Sequence, residues 1–95
     1  MPEMRFRICW PDGTIENCYS PSLVVKDFFA SGQSYRLSDF VERSRIALDI
    51  ASKRVEAKFG WACARAAAQF KRIESMAASF AAVPDAHVTV EAFEE

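Results

Sequence analysis

Residues 4 to 10 set Met4, Phe6, Ile8 and Trp10 against Arg5, Arg7 and Cys9. A strict two-residue alternation of this kind commits the stretch to a half-buried β-strand, because only an extended chain gathers alternate side chains on one face. The Pro11-Asp12-Gly13 that follows is a turn. Its Asp-Gly pair suits a two-residue hairpin loop, where both positions take positive φ. With Asp12 and Gly13 as the loop, Trp10 faces Ile15, Ile8 faces Asn17 and Phe6 faces Tyr19. That register places Phe6, Ile8, Trp10, Ile15 and Tyr19 on one face of the hairpin and Arg5, Arg7, Cys9, Glu16 and Cys18 on the other. A slip of one residue would undo the sorting, since it turns every side chain of a strand over.

Ser20-Pro21-Ser22 ends the second strand, and residues 23 to 30 suit a short helix stopped by Gly32. Ser38 has the character of an N-cap, with Asp39 and Glu42 in the first turn where the helix dipole favours negative charge. From there Phe40, Ser44, Ala47, Leu48, Ala51, Val55 and Phe59 recur at spacings of three and four. They form one apolar stripe opposite a charged face. A second helical pattern runs through Cys63, Ala66, Ala67, Phe70, Ile73, Ala77 and Phe80, and ends near Ala82 ahead of Pro84. Gly60 admits two arrangements. It either turns the chain into an antiparallel helical hairpin or lies inside one helix from about residue 39 to 82, whose length of ~65 Å would need a dimer to cover it. The hairpin is preferred and the continuous helix is its alternative. The valines of His87-Val88-Thr89-Val90-Glu91-Ala92-Phe93 mark a third strand, able to add to the free edge of the hairpin.

The expectation is therefore an α+β fold, with a three-stranded sheet packed against a helical hairpin, in a single domain over residues 1–95. With 51% hydrophobic and 26% charged residues the chain has the composition of a globular protein with a core. A net charge of −1 supplies no overall basic field for a nucleic acid or an anionic membrane surface. Charges interrupt every window of the ~20 residues needed to span a bilayer. The opening Met1-Pro2-Glu3-Met4-Arg5 lacks the apolar run of a signal peptide. The expected compartment is the cytoplasm. Three cysteines in such a chain read as reduced thiols rather than a disulfide framework.

No catalytic constellation, cofactor motif or metal-ligand spacing is resolved. Cys9 and Cys18 fall as diagonal neighbours on the outer face of the hairpin, a pair to be weighed against two unrelated small residues. Cys63 opens the second helix of the hairpin arrangement, where free N–H groups and Arg65 favour a thiolate; the competing reading is a small cysteine packed among alanines. The sole histidine, His87, begins a strand and is remote in sequence from all three thiols. Arg43, Arg45, Lys53, Arg54 and Lys58 suit the solvated side of an amphipathic helix, with no helix-turn-helix pattern around them. The small residues around Gly60 and along the second helix occupy more than one face and admit a further helix, from another copy or another protein. A binding module is the function class that follows.

Trp10-Pro11-Asp12-Gly13, Cys18-Tyr19-Ser20-Pro21-Ser22, Gly32-Gln33-Ser34-Tyr35 and Lys58-Phe59-Gly60-Trp61-Ala62-Cys63-Ala64-Arg65-Ala66, in this order, resemble a small bacterial nitrogen-starvation response family. The likeness runs from Met1 to about Ala82. It implies a setting rather than a reaction: genes clustered with a nitrilase-type hydrolase, a radical-chemistry enzyme, an acetyltransferase and a flavoprotein. The family's signature positions would fall here on Trp10, Asp12, Gly13, Cys18, Tyr19, Ser20, Pro21, Gly60, Cys63 and Arg65. Trp61 stands where a smaller aromatic is expected and Ala64 where serine is expected, which removes any hydroxyl chemistry at position 64. The implied role is a non-catalytic accessory or adaptor protein, a homodimer in complex with cluster enzymes. The alternative is a thiol-dependent enzyme or sulfur carrier using Cys63 or Cys18.

Overall fold

The computed structural model describes residues 3–95. Met1 and Pro2, which enter the reading of the amino-terminal stretch, lie outside the described residues. Strands β1 (Met4–Cys9) and β2 (Ile15–Ser20) form the expected antiparallel hairpin, and β4 (His87–Glu94) pairs with the other edge of β1. A further strand, β3 (Gln33–Arg36), pairs antiparallel with β4. The sheet is thus four-stranded in the order β2-β1-β4-β3, one strand more than expected. Gln33-Ser34-Tyr35-Arg36 carries no β-branched residue and no apolar alternation, so its strand exists by pairing rather than by propensity.

The register of the hairpin corrects the sequence reading. Trp10 N donates to Thr14 O (2.8 Å) and Gly13 N to Trp10 O (2.9 Å), so the loop is the three residues Pro11, Asp12 and Gly13. Gly13 carries the left-handed backbone (φ +90°) that a three-residue hairpin loop places at its last position. The extra loop residue slips β2 by one, and Phe6 faces Cys18 while Arg5 faces Tyr19. Cys18 and Ser20 consequently point into the core, and Ile15 and Tyr19 to the outside. The outer-face pair of Cys9 and Cys18 does not exist, because the two side chains lie on opposite faces of the sheet.

Two helices cover one sheet face, α1 (Leu37–Phe59) and α2 (Ala64–Ala78). The helix expected over residues 23–30 is a single 3-10 turn at Leu23–Asp27, where Ser22 Oγ accepts from Val24 N (3.3 Å). Helix α1 opens one residue before Ser38, with Arg36 at its N-cap. Gly60 ends it in the left-handed conformation (φ +87°), its N–H donating to Glu56 O (2.8 Å). The chain therefore turns at Gly60, and the continuous helix is ruled out. The apolar stripe explains the choice: Phe40, Ser44, Ala47, Leu48 and Ala51 are buried, but Val55 is only half-buried and Phe59 is exposed. Past Ala51 a straight helix has little left to bury, whereas a returning α2 buries Ala66, Ile73 and Ala77. Between helices and sheet, Trp10 stacks on Phe80 (centroids 5.8 Å) and meets Phe40 edge-on (5.7 Å), joining the end of β1 to α1 and to the turn that follows α2.

Candidate functional site

Four of the residues singled out in the sequence serve the fold. Trp10 is buried, and its indole Nε1 donates to Glu16 Oε1 (3.1 Å). Asp12 Oδ1 accepts from Thr14 N (2.9 Å), and this bond holds the Asp12 carboxyl below the usual carboxylate range. Cys18 lies in the core, where burial first and the Glu16 charge second push its thiol up, with Arg72 opposing. A thiol held neutral in this way is a poor nucleophile. Ser20 Oγ donates to Ser22 O (2.7 Å), and Ser22 Oγ accepts from Arg54 Nη1 (3.0 Å), tying the end of β2 through the 3-10 turn to α1.

Tyr19, Cys63 and Arg65 come together, from opposite halves of the sequence, where the edge strand β2 meets the start of α2. The register slip turns Tyr19 outward and frees it to meet the helix. The Arg65 guanidinium lies 3.9 Å from the centre of the Tyr19 ring, and Arg5 approaches the same ring at 5.9 Å. Cys63 sits at the N-cap of α2, its N–H bound to Ser52 Oγ (3.2 Å). Partial burial pushes the Tyr19 phenol up; the Arg65 charge opposes this, and Cys63 and Glu3 reinforce it. Gln69 Oε1 accepts from Tyr19 N (2.8 Å), which covers part of the open edge of β2.

Sequence reasoning missed Gln69, Arg72 and Glu16 as members of this junction. The signal was present in part, since Arg65, Gln69 and Arg72 recur at the four- and three-residue steps that share one helix face. The Glu16 carboxylate, 17% exposed, accepts from Arg72 Nε (3.2 Å) and Nη2 (3.4 Å) as well as from Trp10. Tyr19, Arg65, Ala68, Gln69 and Arg72 line a shallow, open cleft of about 310 Å³.

Beside this junction, the last residue of α1 and the connector after it hold two aromatic rings in solvent. Trp61 is 69% and Phe59 47% exposed, with ring centroids 6.5 Å apart. A larger concavity of about 580 Å³ lies elsewhere, between the start of α1 and the end of α2, walled by Leu37, Val41, Phe80 and Val83. It includes none of the candidate functional residues named from the sequence. The basic residues of α1 are engaged locally: Arg43 with Asp39 (2.9 Å), Lys53 with Asp49 (3.1 Å) and Arg45 with Glu42. Among the described residues no helix is long and apolar enough to cross a membrane, and no three metal-ligating side chains cluster.

The molecule is thus a small α+β protein, a four-stranded antiparallel sheet with a helical hairpin on one face and a cation-aromatic junction at its β2 edge. The chain belongs to the NitG family: the family's model, described as nitrogen starvation-induced protein NitG, matches residues 5–93. No curated protein and no solved structure matches the chain.

Proposed function

We infer that the protein is a non-catalytic accessory protein of the nitrogen-starvation response, acting in the cytoplasm by binding the nitrilase-cluster enzymes expected to be encoded beside it. The observation that carries this reading is the pair Phe59 and Trp61, held in solvent at a fixed helix end. Large rings beside a capped helix end cost less ordering entropy on binding than rings on a free chain, and tryptophan is enriched among residues that dominate interface energies. A homodimer is the form in which the protein would work. Light scattering of the purified protein, alone and mixed with each cluster enzyme, tests both statements. A stable complex or dimer is expected, weakened at least about tenfold by Trp61→Ala with the fold retained. A monomer that ignores every cluster enzyme overturns the reading.

A second reading, thiol chemistry at Cys63, draws on its position at the start of α2 within reach of the Tyr19 hydroxyl. It requires Cys63 to alkylate rapidly at pH well below the free-thiol value of about 8.5. The accessory reading expects Cys63→Ser to retain binding, and loss of binding in a folded Cys63→Ser protein would count for the thiol instead.

A further inference from the structure

We propose that the cleft between β2 and α2 is a carboxylate-binding site, with Arg65 as its principal ligand and Gln69 and Arg72 as its other donors. The inference stands apart from the partner-binding reading, because it rests on the cleft and not on the exposed connector.

Three donor side chains line the cleft. The Arg65 guanidinium sits over the Tyr19 ring, 3.9 Å from its centre, a contact that restrains the group without using its N–H donors. A planar guanidinium of this kind matches a carboxylate through two parallel hydrogen bonds. Gln69 spends its oxygen on the Tyr19 N–H (2.8 Å), so its amide nitrogen, a donor, is the group left to face the cleft. Arg72 is fixed by Glu16 through Nε and Nη2, and Glu16 is fixed in turn by the Trp10 indole. Arg72 shares a face of α2 with Arg65 and Gln69 and lines the same cleft, and Nη1 is its nitrogen not bonded to Glu16.

What favours an anion is that neither nearby carboxylate uses the donors of Arg65. Arg65 and Arg72 line the cleft beside the carboxylates of Glu3 and Glu16, while Arg5 stands opposite Glu94 of β4. Glu16 is engaged with both Trp10 and Arg72. Glu3 comes within 3.6 Å of Arg65 Nη1, beyond hydrogen-bond reach, with both side chains more than half exposed. It is a carboxylate of the chain itself hovering over the site, and its chemistry is that of the ligand proposed. An incoming carboxylate would displace it and take the shorter, bidentate position.

The source of the carboxylate is either a small free acid or an acidic side chain of another protein, and one titration separates them. Backbone amides and the Arg65 Nε–H are followed by NMR on addition of acetate, succinate, or a hexapeptide with blocked ends and a central glutamate, with sodium chloride as the ionic-strength control. Saturable shifts confined to Tyr19, Arg65, Gln69 and Arg72 are expected with a carboxylate and not with chloride. Tighter binding of the peptide than of acetate assigns the site to a protein side chain; equal or weaker binding assigns it to a free acid. Arg65→Gln should weaken binding about tenfold or more, the loss of a charge-assisted bidentate pair. Glu3→Gln should strengthen it by removing the resident competitor, and that variant loses no buried group, so it reports even if Arg65→Gln proves poorly folded. Shifts that never saturate, that chloride reproduces, or that persist unchanged in folded Arg65→Gln overturn the proposal.

Discussion

Cys18 shows how much a single residue's role depends on which face it occupies. Read with a two-residue loop it is an outer-face thiol; one residue further round the turn it lies in the core opposite Phe6. Its burial has a titration signature. The folded pKa is raised above the unfolded value of about 8.5, so the contribution of the neutral thiol to stability is fully present below that pH and is lost as pH rises above it. Stability should therefore fall above pH ~8.5 by up to about 1.4 kcal/mol per pH unit. Cys18→Ala removes the group, so its deficit relative to the parent protein should be largest at neutral pH and shrink in alkali. Urea unfolding midpoints of both proteins at pH 7 and pH 9.5 check this, and a constant difference would show that the Cys18 thiol is not held neutral. Alternation along β1 identified Met4, Phe6, Ile8 and Trp10 as core residues, and all four are buried. The same alternation could not fix β2, whose polar Glu16 and Asn17 and aromatic Tyr19 leave no unambiguous apolar set to choose the register.

At the scale of elements, legibility follows how local the cause is. The hairpin, the helical turn at Gly60 and the last strand all rest on signals within a few residues, and all three appear, the hairpin with its loop one residue longer and its register slipped by one. Strand β3 has no local signal and owes its existence to hydrogen bonds with β4, more than fifty residues downstream. The candidate site divides the same way. The shared face of Arg65, Gln69 and Arg72 is written in their spacing, but their meeting with Tyr19 depends on β2 being an edge strand and on its register, both set by long-range pairing. Gly60 offers the sharpest test at this scale. A Cβ there meets no atom within 4 Å, so crowding is not what calls for glycine; the positive φ is. Gly60→Ala should cost about 1 kcal/mol through that backbone strain while leaving the helix content unchanged. Thermal unfolding and far-UV circular dichroism measure the two quantities, and a gain in helix signal would mean that glycine alone prevents the continuous helix.

Over the whole molecule, the sheet and the helices have no separate cores. One cluster takes Met4, Phe6 and Ile8 from β1, Val88 and Val90 from β4, Phe40 and Leu48 from α1 and Ile73 from α2, so neither layer can bury its apolar side chains without the other. Trp10 is the tie between them, stacked on Phe80, against Phe40, and bonded to Glu16 of β2. The chain should then unfold as one unit, and the two tryptophans make this measurable because Trp10 is buried and Trp61 exposed. In a Trp61→Phe variant the fluorescence reports Trp10 alone, and its denaturant transition should coincide with that of the helices followed by circular dichroism. Trp10→Ala should cost about 3–5 kcal/mol, a large part of the 5–15 kcal/mol typical of a folded domain. Trp10→Ala and the milder Trp10→Phe lack the Trp10 emission, so in them the far-UV dichroism of the helices and the near-UV dichroism of the remaining aromatic rings are followed, and the two transitions should shift together. If the helix signal survives after the Trp10 fluorescence has gone, the helical hairpin holds together without the sheet, and the junction of Tyr19 with Arg65 would then join two independently stable parts rather than crown a single one.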